Sequence, residues 1–166
     1  MGGELTETRP ELSVAIASSD RVYRDSLAQP LRRHGFLVRS FAPAGCADAS
    51  ALDGVDVLIL DTDALTPGDL ESVRRLREGW PLVEVVAVTG SLPVEDAVEA
   101  LRAGVFTVLQ HPVADELLVT KITQAGGRHR RARARLDELN HARYGDEDAV
   151  ESSRLERSED LLGEAP

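Results

Sequence analysis

Short apolar runs alternate with amphipathic segments between residue 12 and about residue 125. The runs are rich in Val, Leu and Ile, and they span residues 12–17, 36–41, 55–60, 83–88 and 105–109. Continuous aliphatic runs of this length are typical of strands that are buried on both faces of a parallel sheet. The pattern therefore predicts five parallel strands.

The segments between these runs have the apolar spacing of helices. Asp20 can cap the first helix, and Thr66 with Pro67 supplies a cap and a first helical residue for the third. Five helices are predicted. The first follows Asp20, the second is a weak helix over Ala44–Leu52, and the third begins at Thr66-Pro67. The fourth begins at Ser91 or Pro93, and the fifth follows Pro112. Strand–helix alternation with right-handed crossovers predicts an α/β fold with a doubly wound sheet.

Composition and charge exclude several classes of protein. The chain has 166 residues, 42% of them hydrophobic and 4% aromatic, which predicts an aliphatic core. Its net charge of −10 makes it a poor general binder of nucleic acid. The lone Cys46 excludes an internal disulfide. Residues 1–11 have no apolar run and no segment is long enough to span a bilayer, so we expect a cytoplasmic protein.

Polar residues follow several of the predicted strands. Asp61 comes directly after the run Val57–Leu60, where a buried strand meets solvent. The other strand-end residues are Ser18, Ser19 and Asp20 after the first strand, Thr89 after the fourth and His111 after the fifth. Because doubly wound sheets bind their ligands at the carboxyl ends of the strands, these residues are the candidates for chemistry.

The strand-end stretches DVLILD, VAVTG and LRAGVFTVLQHPV make the chain resemble the receiver domain of bacterial response regulators over residues 12 to about 125. The resemblance implies a flavodoxin-like sheet of strand order 2-1-3-4-5 and a role in two-component signalling or a phosphorelay. It also implies that Asp61 accepts a phosphoryl group and that Thr89 and the position of His111 contact the phosphate. An acidic pair after the first strand binds Mg²⁺ in this family.

The sequence departs from the family pattern at the charged positions. Ser18 and Ser19 occupy the positions of the acidic pair, and Asp20 comes one residue too late. His111 replaces the lysine at the end of the fifth strand, so the charges that would assist phosphoryl transfer are reduced to Asp61. We therefore expect an atypical receiver, similar to a pseudo-receiver, that holds no cofactor. Mg²⁺ is expected only if Asp61 is phosphorylated.

Several residues keep two interpretations at this point. Asp61 is a phosphoacceptor or a strand-end acid that caps a loop, and Asp63 is a loop acid or a substitute metal ligand. Asp20 is a helix cap or a displaced ligand, and the Thr89 hydroxyl contacts phosphate or bonds to nearby backbone. His111 is a neutral histidine before a proline, with a peptide bond that can be cis, or it approaches Asp61 and forms a pH-sensitive pair.

The carboxyl-terminal part of the chain changes character. Residues 126–145 contain the run RHRRARAR and are expected to be a basic helical extension, weakened by Gly126-Gly127. Residues 146–166 are acidic and are expected to be disordered, as are residues 1–11. The basic run is a solvated helix face, a surface for nucleic acid or anionic membrane, or a partner for the acidic tail within one chain or across a dimer. We favour the first and third interpretations.

These observations predict a signalling protein that is not an enzyme. Its expected role is to bind a partner protein, such as a sensor kinase or an output protein, through the fourth and fifth predicted helices and the fifth strand. A homodimer through the last helix is a further expectation, and binding of nucleic acid is not expected. The alternative is a working phosphoacceptor that a sensor histidine kinase phosphorylates at Asp61. Less favoured alternatives are a small-ligand binder or enzyme on the same sheet and a DNA-associated regulator.

Overall fold

The computed structural model describes residues 11–43 and 49–162. Its five strands form one parallel sheet of order β2-β1-β3-β4-β5, which confirms the predicted fold. The strands are β1 Ser13–Ala17, β2 Leu37–Phe41, β3 Val57–Ala64, β4 Glu84–Ser91 and β5 Val105–Gln110. The helices are α1 Arg21–Arg33, α2 Pro67–Gly79, α3 Val94–Ala103 and α4 Asp115–Leu162.

Of the weak second predicted helix, Ala44–Leu52, the structure describes the last four residues, which form a short 3₁₀ turn, Ala49–Leu52. Residues 44–48, which include Cys46, lie outside the described residues. The other predicted helices are present, so the fourth and fifth predicted helices are α3 and α4. Both predicted caps are confirmed, because the Asp20 side chain accepts a hydrogen bond from the backbone N–H of Tyr23 and Thr66 forms a capping box with Asp69.

Helices cover both faces of the sheet. On one face, residues of α1 and α4 pack against the inward side chains of β1 and β3, with Leu31 and Ile122 fully buried. On the other face, α2, α3 and the 3₁₀ turn cover a second set of aliphatic side chains, among them Leu52 and Val73. The core is aliphatic, as the low content of aromatic residues predicts.

The third strand is longer than its apolar run predicts. The apolar run stops at Leu60 and predicts a strand that ends on Asp61, but β3 continues to Ala64 and pairs with β4 at Asp61↔Val88 and Ala64↔Ser91. The polar residues after Leu60 remain in the strand because β4 also extends past its apolar run and offers backbone partners. Asp61 therefore has a position fixed by strand pairing on the β4 side.

Helix α4 is continuous through the two glycines that we expected to weaken it. Gly126 packs directly on Leu12, and a Cβ at this position would overlap the Leu12 side chain. Glycine thus allows α4 to pack closely on Leu12, which directly precedes β1. The compact unit that contains the sheet extends to Arg130. Residues 131–166 form a second unit.

The acidic tail also differs from expectation within the described residues. Residues 146–162 belong to α4 in the structure, whereas their composition predicts disorder. Leu, Arg and Glu are strong helix formers, and a prediction of disorder from net charge does not take this propensity into account. The expected disorder of residues 1–10 and 163–166 falls outside the described residues.

A cluster of polar side chains joins α4 to the amino-terminal edge of the sheet. The buried ring of His129 has Nδ1 2.6 Å from the Leu82 carbonyl oxygen and Nε2 3.1 Å from Oδ1 of Asp56. Both ring nitrogens face acceptors, so a ring that satisfies both contacts carries two N–H groups and a positive charge. Beside it, Arg128 lies 3.5 Å from the buried carboxylate of Glu84. The sequence predicts Arg128 and His129 only as part of the basic helical extension, and it predicts no role for Asp56 and Glu84.

Candidate functional site

The candidate site centres on Asp61, which lies in β3 between β1 and β4. Its side chain is buried, with 9% of its surface accessible. A buried carboxylate is costly unless hydrogen-bond donors surround it. The contacts of Asp61 therefore determine what this site can do.

Both carboxylate oxygens of Asp61 accept hydrogen bonds. The hydroxyl of Ser18, which directly follows β1 and is fully buried, donates to Oδ2 at 2.6 Å. Nε2 of His111, which directly follows β5, lies 2.6 Å from Oδ1. The structure thus joins residues from three strand ends at one carboxylate. Ser18 and His111 take positions where the family resemblance expects an acidic metal ligand and a lysine.

The ring of His111 extends this network to α1. Its Nδ1 contacts the hydroxyl of Tyr23, and the two rings meet edge to face with their centroids 4.1 Å apart. A neutral imidazole satisfies every contact if the Tyr23 hydroxyl donates to Nδ1 and Nε2–H donates to Asp61. Burial raises the pKa of Tyr23 above its ordinary value of 10.0, and the negative charge of Asp61 adds to the effect. The peptide bond between His111 and Pro112 is cis, the form that the sequence left open.

Tyr23 is a site residue that the sequence analysis missed. Its position falls within the first predicted helix, for which only the cap, Asp20, was singled out. One local signal could have indicated its role. Tyr23 lies three residues after the cap of α1 and close to the end of β1, and a tyrosine hydroxyl usually finds a hydrogen-bond partner when the ring is buried. Its partner, His111, is 88 residues away in the sequence.

Three other candidates have no described hydrogen bond or ion pair to the Asp61 carboxylate. Ser19 and Asp20 are exposed, and the Asp20 side chain caps α1, which confirms the helix-cap interpretation. The Asp63 side chain is also exposed, and its described hydrogen bond is made by its backbone carbonyl. These three residues therefore contribute surface and backbone structure around the site.

Thr89 is fully buried, and its hydroxyl faces the backbone. Its Oγ1 lies 2.9 Å from the Ser91 carbonyl oxygen and 3.3 Å from that of Asp63. Of the two interpretations of Thr89, a contact with phosphate or a hydrogen bond to nearby backbone, the structure has the second. The hydroxyl fastens the extended ends of β3 and β4 to each other.

The donor set around Asp61 does not fit Mg²⁺. This ion prefers near-octahedral oxygen ligands with one or two carboxylates. Here the described side-chain contacts of the single carboxylate are a hydroxyl and an imidazole, with no second carboxylate among them. Within the part of the chain that the structure describes, no group of three or more His, Cys, Asp or Glu residues could hold a metal ion.

The chain is similar to known transcriptional regulators and receiver domains. It is 31% identical over 136 residues to the transcriptional regulatory protein FixJ of Rhizobium meliloti, a match that covers 80% of this chain and 66% of FixJ. It is 29% identical over 119 residues to the C4-dicarboxylate transport transcriptional regulatory protein DctD of the same organism, covering 71% of this chain and 26% of DctD. Thus the chain spans slightly less than two thirds of FixJ and about a quarter of DctD. No protein-family model matches it.

Solved structures agree with this fold. A CheY-like response regulator receiver domain protein from Methanospirillum hungatei superposes with a TM-score of 0.62 at 20% identity, covering 74% of this chain and 98% of that one. A parallel sheet of order 2-1-3-4-5 with an aspartate in the carboxyl-terminal part of its central strand is the arrangement that the family resemblance predicts. The chain belongs to the response regulator receiver family. No helix in its described ranges is both long and apolar enough to cross a membrane.

Proposed function

We propose that this receiver domain signals by binding a partner protein and does so without conventional Mg²⁺-dependent phosphorylation. The observation that carries the proposal is the state of Asp61, whose two oxygens accept hydrogen bonds from Ser18 and His111 inside the domain. The carboxylate that would attack a phosphoryl group is thus held by its own neighbours.

Electrostatics support the same conclusion. A carboxylate that attacks a dianionic phosphoryl group needs a divalent cation and a second positive charge to offset repulsion. The groups beside Asp61 are a hydroxyl and an imidazole whose contacts a neutral ring satisfies. An incoming phosphoryl group would also have to displace hydrogen bonds to a charged acceptor, each worth about 1.5–3 kcal/mol.

The surface of α3 supports partner binding. Val94, Val98 and Leu101 follow one another at spacings of four and three, so they share one face of the helix. Their side chains are 75%, 41% and 53% exposed, and Leu117 at the start of α4 is exposed as well. Exposed apolar patches of this kind mark protein interaction sites. We propose the α3–β5–α4 face as the surface that meets an apolar patch on the partner.

Intact-mass spectrometry after incubation with acetyl phosphate and Mg²⁺ tests the role of Asp61. We expect no phosphoryl adduct on the wild-type chain. An adduct that is present on the wild type and absent from Asp61→Asn would instead establish the alternative, a receiver phosphorylated at Asp61.

A gain-of-function variant serves as the matched control. Ser18→Asp, Ser19→Asp and His111→Lys together restore the acidic pair and the ammonium that the family resemblance implies. We expect this triple variant to form the adduct that the wild type lacks, and adding Asp61→Asn should abolish it. If the triple variant folds but forms no adduct, these three positions do not account for the lack of phosphorylation at Asp61.

The partner surface is tested separately. Val98→Asp with Leu101→Asp places charge in the α3 stripe, and Val22→Asp is the matched control because Val22 is 79% exposed on α1. We expect chemical cross-linking in cells to lose its partner adduct with the α3 variant only. Equal loss with Val22→Asp, or no loss with either, would count against the α3 face.

A further inference from the structure

A buried histidine lies in α4 at the end of the first compact unit. His129 has 7% of its surface accessible and directly precedes Arg130, the last residue of that unit. It contacts the amino-terminal edge of the sheet, which is the edge opposite to the Asp61 site. His129 is therefore a titratable group in the core that the proposed function does not use.

The ring of His129 holds α4 to the starts of neighbouring strands. Its Nε2 lies 3.1 Å from Oδ1 of Asp56, which directly precedes β3, and its Nδ1 lies 2.6 Å from the carbonyl oxygen of Leu82, in the turn before β4. The other carboxylate oxygen of Asp56 accepts a hydrogen bond of 2.9 Å from the backbone N–H of Ser13, the first residue of β1. One imidazole thereby connects α4 to the starts of three strands.

The two contacts of the ring require two N–H groups. The Asp56 carboxylate and the Leu82 carbonyl are both acceptors, whereas a neutral imidazole has one N–H and one lone pair. With a neutral ring, one of these contacts would bring two acceptors together. The geometry is therefore that of a charged imidazolium, and loss of its proton must break one of the two hydrogen bonds.

Other charged or titratable side chains at this edge come from several elements. They are Asp56 and Glu84 at the strand starts, Arg77 on α2, Arg128 and Arg130 on α4, and Glu11 and His34, which line a cleft with Arg130. The arginines stay protonated and the carboxylates stay ionised at neutral and alkaline pH. Of these groups the two histidines can change charge near neutral pH, and His34 is exposed. His129 is therefore the buried group of this cluster that can respond to pH.

We propose that His129 is a pH-dependent latch, which holds α4 to both Asp56 and Leu82 when its ring is charged and releases Leu82 when its ring is neutral. The contact with Asp56 persists because a hydrogen bond to a carboxylate is roughly twice as strong as one to a carbonyl. Residues 125–130 of α4 are thus held firmly at neutral pH and open more readily at alkaline pH. The latch does not involve Asp61, so it is independent of the proposed function.

Long-range ¹H–¹⁵N correlation spectra of the full-length chain test the charge of the ring. At about pH 6 we expect both ring nitrogens of His129 to be protonated, and at about pH 9 we expect the neutral tautomer that keeps Nε2–H. The carbonyl carbon resonance of Leu82 should shift with the same midpoint. A ring that is neutral at pH 6, or still charged at pH 9, would overturn the proposal.

Hydrogen exchange measures the release of α4. Amide protection factors for residues 125–130, corrected for the intrinsic pH dependence of exchange, should fall roughly ten- to a hundredfold between about pH 6 and pH 9, since one hydrogen bond to a charged group is lost. Amides of α3 should not follow this change. Constant protection of residues 125–130 over this range would contradict the latch.

His129→Gln assigns the response to this ring. Glutamine keeps a side-chain donor but does not titrate, so the protection of residues 125–130 should no longer depend on pH. His34→Gln is the matched control, because it removes the exposed histidine beside Arg130 and should keep the wild-type response. A response that survives in His129→Gln, or one that disappears in His34→Gln, would assign the titration to another group.

Asp56→Asn provides a second variant in case His129→Gln does not fold. It removes the negative charge beside the ring and leaves the Leu82 carbonyl in place. His129 should then lose its proton at a lower pH than in the wild type, because the charged form has lost its counter-charge. An unchanged midpoint would show that the contact with Asp56 does not hold the ring in its charged form.

Discussion

The imidazole of His111 lies 2.6 Å from the carboxylate of Asp61 and reaches Tyr23 with its other nitrogen. One ring thereby ties the end of β5 to the central strand and to α1. The family resemblance implies a lysine at the position of His111. Here the position holds an imidazole whose two ring nitrogens contact Asp61 and Tyr23. Stability and titration measurements can therefore report on this site without any knowledge of the partner.

Removing the ring of His111 should destabilise the domain. His111→Ala takes one donor from a buried carboxylate, and we expect a loss of about 1–3 kcal/mol in the free energy of unfolding. His111→Gln keeps a donor near Asp61 and should lose less. Urea denaturation followed by circular dichroism measures both. An alanine variant as stable as the wild type would mean that the contact with Asp61 contributes nothing net.

Tyr23 should titrate at high pH. Burial, together with the charge of Asp61, raises the pKa of Tyr23, so its phenol should ionise with a midpoint above about 10. A raised folded-state pKa stabilises the fold below the unfolded pKa, and that contribution is lost as the pH rises through the folded value. The difference in ultraviolet absorbance between wild type and Tyr23→Phe isolates this titration. A midpoint at or below that of a free tyrosine would contradict the buried contact.

The Asp56–His129 contact should give an acid-dependent contribution to stability. Burial by itself raises the pKa of Asp56, but hydrogen bonds from His129 and the Ser13 backbone, with the charges of His129 and Arg130, outweigh it and lower that pKa. A lowered folded-state pKa contributes stability above the unfolded value, and this is lost as the pH falls through the folded value. The difference in unfolding free energy between wild type and Asp56→Asn should therefore shrink below about pH 4. A constant difference from pH 7 to pH 3 would be inconsistent with this contact.

Gly126 should resist substitution because of its contact with Leu12. Gly126→Ala introduces a Cβ that overlaps the Leu12 side chain, and we expect a loss of about 1–3 kcal/mol from overpacking. Gly79→Ala at the end of α2 is the matched control, since no atom lies within 4 Å of its added Cβ. It should be neutral or stabilising by about 0.5–1 kcal/mol. Thermal unfolding distinguishes the two variants.

A double-mutant cycle isolates the Gly126 contact. Leu12→Ala removes the atoms that the new Cβ would meet, so Gly126→Ala should cost less in that background than in the wild type. Equal costs in both backgrounds would show that the effect of Gly126→Ala comes from α4 itself and not from its packing on β1.

Local pattern in the sequence determined the strands, the two helix caps, the parallel sheet and the residues at its carboxyl edge. This succeeds because burial on both faces and capping depend on near neighbours in the chain. Tertiary structure alone decided that Asp61 lies within β3, that Ser18 and His111 engage its two oxygens, and that Tyr23 completes the network. These partners are 43, 50 and 88 residues apart, and strand register brings them together. The contact of Gly126 with Leu12 has the same origin, because a glycine that weakens an isolated helix allows close packing once the start of a strand lies beside it.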